Sequence, residues 1–219
     1  MMTTMRWLIA LLMPLCLSPA QAAEDYSAAE QAIFMRDQFA GLKAPTTLRY
    51  SFRKTGSMEP GFEDQVELTL NAKTEGGCCL VHGEFLSGTR RVPLPDMDQG
   101  KANPVTLYFL ERDIREMNRI TRGSQNYFRK RIRMAAYQGA TVTPVSLRYR
   151  GATVKGQDIT LKPYDDDPNR ARYGQLAVKE YHFLLSEAVP GGVYAIRTIA
   201  HDGASVLLDE DMTIEGAER

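Results

Sequence analysis

Hydrophobic residues in this chain keep two different periods, and the switch between them limits the folds open to it. Leu48, Tyr50 and Phe52 alternate with Arg49, Ser51 and Arg53, and Val66, Leu68 and Leu70 alternate with Glu67, Thr69 and Asn71. A period of two means strands with one wet face, hence an antiparallel sheet. Between residues 104 and 138 the period becomes helical. Leu107, Leu110, Ile114, Met117 and Thr121 share one face, and a second helix follows over Tyr127 to Gln138. Asn103 is a good N-cap, Pro104 suits the first helical position, and Ser124 can cap again after Gly123. The period of two then returns at Val145, Leu147 and Tyr149. Gly191-Gly192 and Asp202-Gly203 mark turns that join residues 180–186, 193–200 and 205–214 into a meander.

Upstream, Ser27-Ala28-Ala29-Glu30 reads as a capping box that opens an amphipathic helix over 28–41. Residues 78–86 are expected to form a third strand and Arg90 to Leu94 a short fourth. PYDDDPNRARYG reads as a polar loop. The sum predicts an α+β fold: a curved, half-barrel-like antiparallel sheet with an N-terminal helix and a central helix pair packed on one face.

The chain begins MMTTMRWLIALLMPLCLSPAQA. Arg6 supplies a positive n-region, Trp7 to Leu17 an apolar run too short to span a bilayer comfortably, and Ala20 and Ala22 the small residues of a cleavage site. Residues 1–22 are therefore expected to be a cleaved signal peptide, leaving 23–219 as one periplasmic domain. With 27 Lys+Arg against 27 Asp+Glu the balance is neutral, which, with export, argues against nucleic acid as partner.

Only Cys78 and Cys79 survive maturation, with His82 close by. On a strand the two cysteines face opposite sides. Their Cα atoms lie about 3.8 Å apart, below the usual disulfide range. Packed thiols are the first expectation, because free cysteine is usually buried. A disulfide remains open, since Gly76-Gly77 could supply a distorted turn. So does a metal or redox site using Cys78, Cys79 and His82. Asp165, Asp166 and Asp167 lack the spacing of a calcium loop and read as a solvated turn that can pair with Arg170 and Arg172. No G-x-S-x-G, H-E-x-x-H, C-x-x-C or P-loop occurs, so no enzyme class and no cofactor is indicated.

The segment ERDIREMNRITRGSQNYFRKRIRM carries the most unusual pattern. Arg112, Arg115, Arg119 and Arg122 fall three, four and three apart, and so form one stripe beside the apolar face. Arg129, Lys130, Arg131 and Arg133 continue it on the next helix. Glu111 can pair with Arg115, and Glu116 with Arg112 and Arg119. Such a surface suits anionic lipid headgroups or an acidic protein.

Export, an N-terminal helix, a curved antiparallel sheet and helices inserted mid-chain resemble, by order of elements, the LolA/LolB-like periplasmic half-barrel superfamily. The resemblance implies a hydrophobic cavity between sheet and helices that accepts acyl chains. The expected function is thus a non-enzymatic binding or carrier protein for an amphiphilic ligand, either a lipid or an acylated partner. Leu107, Leu110, Ile114 and Phe183 would line the cavity, and Arg112, Arg115, Arg119, Arg122, Arg129, Lys130 and Arg133 would hold an anionic head. The alternatives are an envelope protein-interaction factor, and a metal or thiol-redox accessory.

Overall fold

The computed structural model describes residues 26–72, 78–93, 95–98 and 102–218; the side chains of Cys78 and Asp98 lie outside the described set. The expected signal peptide also falls outside the described residues.

Ten strands form one antiparallel sheet. They are β1 (Thr46–Thr55), β2 (Phe62–Ala72), β3 (Cys78–Phe85), β4 (Met97–Asp98), β5 (Thr141–Tyr149), β6 (Ala152–Leu161), β7 (Glu180–Leu185), β8 (Val193–Asp202), β9 (Ser205–Ile214) and β10 (Ala217–Glu218). Their order is β10-β5-β6-β7-β8-β9-β1-β2-β3-β4, so the sheet is open, with β10 and β4 at its edges. The helices α1 (Ala28–Glu30, extended by a π-turn over Gln31–Met35), α2 (Pro104–Thr121) and α3 (Gln125–Met134, extended by a π-turn over Ala135–Gly139) complete the α+β architecture.

The alternation of apolar residues decides which face is covered. Across the sheet, Ile159, Phe183, Ile196, Met212 and Phe52 stand opposite one another in register, and all five are buried. The next row runs Leu161, Tyr181, Thr198, Glu210 and Lys54. Tyr181 bonds Asp113 and Glu210 bonds Arg112, both on α2. This face is therefore the helix-covered one. The odd-numbered residues of β9 and the even-numbered ones of β7 point the other way.

Asn103 fixes the start of α2. Its Oδ1 accepts from the Val105 N–H at 3.1 Å, and its Nδ2 donates to Tyr50 Oη at 3.0 Å and to the Gly191 carbonyl at 2.9 Å. Its own N–H donates to Gln38 Oε1 at 2.6 Å. Gly191 has φ +74°, and a Cβ there would come within 2.5 Å of the Leu48 side chain and 2.8 Å of Asn103 Nδ2. The approach leaves no room for a side chain.

Several expected boundaries shift. The capping box forms, with Glu30 N–H to Ser27 Oγ at 3.0 Å and Ser27 N–H to Glu30 Oε2 at 3.0 Å. The helix nevertheless ends at Met35 rather than 41, because Arg36 is extended and Asp37 Oδ1 accepts from the Phe39 N–H. No strand runs over the described residues 90–93, and Leu94 lies outside the described set. Gly88–Arg90 is a 3-10 turn, Val92 makes a lone bridge to Phe85, and β4 comes later. Ser124 makes no side-chain cap. Part of the expected polar loop coils into a 3-10 segment, Arg170–Val178.

β10 was not foreshadowed. It begins three positions after β9 ends, yet it pairs with β5, four strands away. Three peptide units cannot cross a flat sheet of that width, so β5 to β9 curl strongly. Tyr194 Oη donates across the seam to the carbonyls of Arg148 (3.0 Å) and Glu218 (3.1 Å).

Candidate functional site

The arginine stripe divides into two sets. Arg112 is buried: Nη1 lies 2.9 Å from Glu210 Oε2, and the guanidinium sits 4.8 Å over the Phe52 ring. Arg119 is exposed but pairs with Glu59 and with Glu116 at 2.7 Å. Arg129 grips Glu111 with two hydrogen bonds of 2.6 Å, tying α3 to α2. Glu111 therefore pairs with Arg129 rather than the anticipated Arg115, and Arg112 with Glu210 rather than Glu116. Arg131 is buried against Pro163 O, Asp166 and Asp167. Arg115, Arg122, Lys130 and Arg133 remain exposed and make no ion pair with a described residue. Leu107, Ile120 and Tyr137 are exposed on the same helical segments.

Leu107 is thus misplaced in the expected cavity lining. At 43% exposure it faces solvent, because it lies about 200° around the helix from buried Phe109 at about 100° per residue. Leu110, Ile114 and Phe183 are buried as expected, but within the packed core. The seam between α2 and the sheet at Lys54, Met117 and Glu210 encloses about 10 Å³, the room of a single water.

Charged groups fill that seam. Lys54 lies 2.7 Å from Glu59 and 3.6 Å from Glu210, and Lys179 pairs with Asp113, which also accepts from Tyr181 Oη at 2.5 Å. Asp113, Lys179 and Glu210 are each at most 2% exposed. Burial, with the Asp113 carboxylate beside it, pushes the Tyr181 phenol well above its ordinary value. Glu59 is held below the usual carboxylate range: burial opposes this, but hydrogen bonds from Lys54 and Arg119 outweigh it.

The acidic turn is not solvated throughout. Asp165 pairs with Arg170 as foreseen. Asp167 is buried, accepting from Tyr127 Oη at 2.9 Å, Tyr173 Oη at 3.2 Å and the Asn169 N–H at 2.7 Å. It locks α3 to the loop.

Cys79 is buried and disulfide-bonded, not the free packed thiol that burial habits suggested. Its partner lies outside the described side chains. His82 sits on the opposite face, half-exposed, with Nδ1 2.7 Å from Asp96. Strand alternation keeps the two apart. Among the described residues no group of three or more His, Cys, Asp or Glu side chains could hold a metal.

One concavity was invisible in the sequence. It is an open groove of about 440 Å³ on the helix-free face of the β5–β9 curl. His182, Arg197 and Asp211 stand in one cross-strand row, with Asp158, Ala195 and Thr213 in the row that also holds Leu184. Leu147 and Ile199 add apolar floor, and Arg148 and Glu218 the rim. His182 Nδ1 lies 3.1 Å from Asp158 and Nε2 3.7 Å from Glu180. Only the curl brings these strands around one space, so hydrophobic alternation alone carries no sign of it. The groove and the arginine helices lie on opposite faces of the sheet, and one small ligand cannot use both.

No protein-family model matches the chain, and no curated protein matches it in sequence.

Proposed function

We propose that the mature chain is an exported, non-enzymatic binding protein that meets an anionic lipid surface with the outer faces of α2 and α3. One observation carries this reading. Six cations point outward there (Arg115, Arg119, Arg122, Arg129, Lys130 and Arg133), whereas among the described residues only Glu111, Glu116 and Glu59 pair with them. Exposed Leu107, Ile120 and Tyr137 lie on the same two helical segments. Basic side chains interspersed with apolar ones fit a headgroup layer. Each cation near an anionic leaflet contributes about 1 kcal/mol.

The lipid is met at the surface and not enclosed. A LolA/LolB-like carrier action would lift α2 from the sheet and separate Arg112 from Glu210 and Asp113 from Lys179. Parting a buried pair without new partners costs about 3–5 kcal/mol.

The test is co-sedimentation with phosphatidylglycerol-containing vesicles and with pure phosphatidylcholine vesicles. Binding should require the anionic lipid and fade with salt. The variant R115Q/R122Q/K130Q/R133Q should lose it while keeping the wild-type melting curve. Equal binding by that variant, or no binding of the wild type at low salt, overturns the proposal. In the second case, a pull-down of an acidic envelope protein that is sensitive to the same substitutions would move the basic face to a protein partner.

A further inference from the structure

We propose that the outer edge of β5 is a surface shaped to take a second copy of this chain as an added strand, and that Pro144 holds that surface shut. The edge is separate from the lipid surface, which lies on α2 and α3.

Strand order leaves the edge open. β5 pairs with β6 along its whole length, but its other side meets β10 only at Arg148 and Tyr149. Among the described residues no other strand pairs with β5, so residues 141–147 present a bare edge. A row of unpaired N–H and carbonyl groups is a template for another strand. The side chains suit such pairing. TVTPVSL carries no charge and is rich in Thr and Val. Thr141, Val142, Thr143 and Ser146 are exposed, and nothing along the segment repels a second copy. Without its proline it would have the composition of a segment prone to cross-chain pairing.

Backbone alternation decides where the proline stands. Alternate residues of a strand turn their N–H and carbonyl to the same neighbour. The Arg150 N–H donates to the Gly216 carbonyl, and Arg148 stands opposite Glu218, so the even-numbered residues face the β10 side. Val142, Pro144 and Ser146 therefore turn their backbone to the open edge, while Thr143 and Val145 turn theirs to β6. Pro144 takes no bond from the β5–β6 ladder, because its missing N–H belongs on the outer side. Its ring fills the place from which a donor would point.

A second copy meets this edge antiparallel, about a two-fold axis. The register that pairs most residues sets Val142 against Ser146 of the second copy and Pro144 against its own counterpart. The centre then holds carbonyls with no donor, and facing rings keep the strands apart. A shifted register that sets Pro144 against Val142 or Ser146 again lacks a donor. Larger shifts leave a single outward residue to pair with its counterpart.

Sedimentation equilibrium of the mature protein tests this. Pro144→Thr restores the central donors and should associate at least about tenfold more tightly than the wild type. Pro144→Ala restores the N–H without a β-branched side chain, so it should gain less in the same direction. It carries the test where the threonine variant fails to fold. Adding Ser146→Pro to either variant should cancel the gain, since it removes the remaining outward donors beside the centre and leaves the β6 pairing intact. No gain in either Pro144 variant, or a gain that Ser146→Pro does not cancel, overturns the proposal.

Discussion

Asp113 and Lys179 form a pair with almost no contact with water. Removing one partner strands a buried charge, so Lys179→Met should lower stability by about 3–5 kcal/mol, and Lys179→Met with Asp113→Leu should recover much of it. Urea unfolding of the three proteins measures this. The neighbouring phenol makes a second prediction. Burial raises Tyr181 above the ordinary tyrosine value, and raises Tyr164 and Tyr50 likewise. A raised folded value means that stability is full below about 10 and is lost as pH climbs past it. The urea midpoint should therefore fall between about pH 9 and about pH 11, less steeply in Tyr181→Phe. A flat profile would refute the burial argument. Sequence spacing treated Arg112 and Arg115 as equals. What separates them is Glu210, 98 residues away, and no local pattern carries such a partner. Local chemistry is readable where partners are near: the Ser27 box and the Asn103 cap both form as the residues indicate.

At the level of elements, α2 is held at its start by one side chain. Asn103→Ala removes the cap and leaves Tyr50 Oη and the Gly191 carbonyl without its amide. The expected loss is about 2–3 kcal/mol, the sum of a cap and a buried hydrogen bond, seen as a lower melting temperature. By contrast Arg129→Gln, which cuts the exposed link from α3 to Glu111, should cost less than about 1 kcal/mol. Strands β1, β2 and β7 were legible because apolar residues alternate along most of each, and β8 and β9 because turn residues flank them. β4 and β10 were not, since two residues hold no period. Helix α1 stops early because Gln38 turns away to bond the α2 entrance, a demand set by another part of the fold.

For the whole molecule, the curl of β5 to β9 creates the groove, and Tyr194 fastens it. Tyr194→Phe should cost about 1–2 kcal/mol and speed amide exchange at Arg150, whose N–H donates to the Gly216 carbonyl in the same seam. Unchanged exchange there would mean that β10 holds without the phenol. Alternation in the sequence announced a sheet with one covered face, and it did so for both halves. LRYSFRKTG…QVELTL and LRYRGATVKGQDITL become the hairpins β1–β2 and β5–β6. It could not announce how far that sheet bends, because bending is settled by which distant strands meet.

The middle of the sheet joins the earliest strand to the last long one: Ser51 and Thr213 are neighbours although 162 residues apart. A chain emerging amino terminus first leaves β1 with a bare edge until nearly all of it has appeared. Such pairing is slow to form, and an unpaired edge invites other strands. If the chain crosses a membrane as proposed, the delay serves it. The seam between the two halves of the sheet cannot close until β9 arrives, and helpers that shield nascent chains must guard that one open edge for the length of the passage.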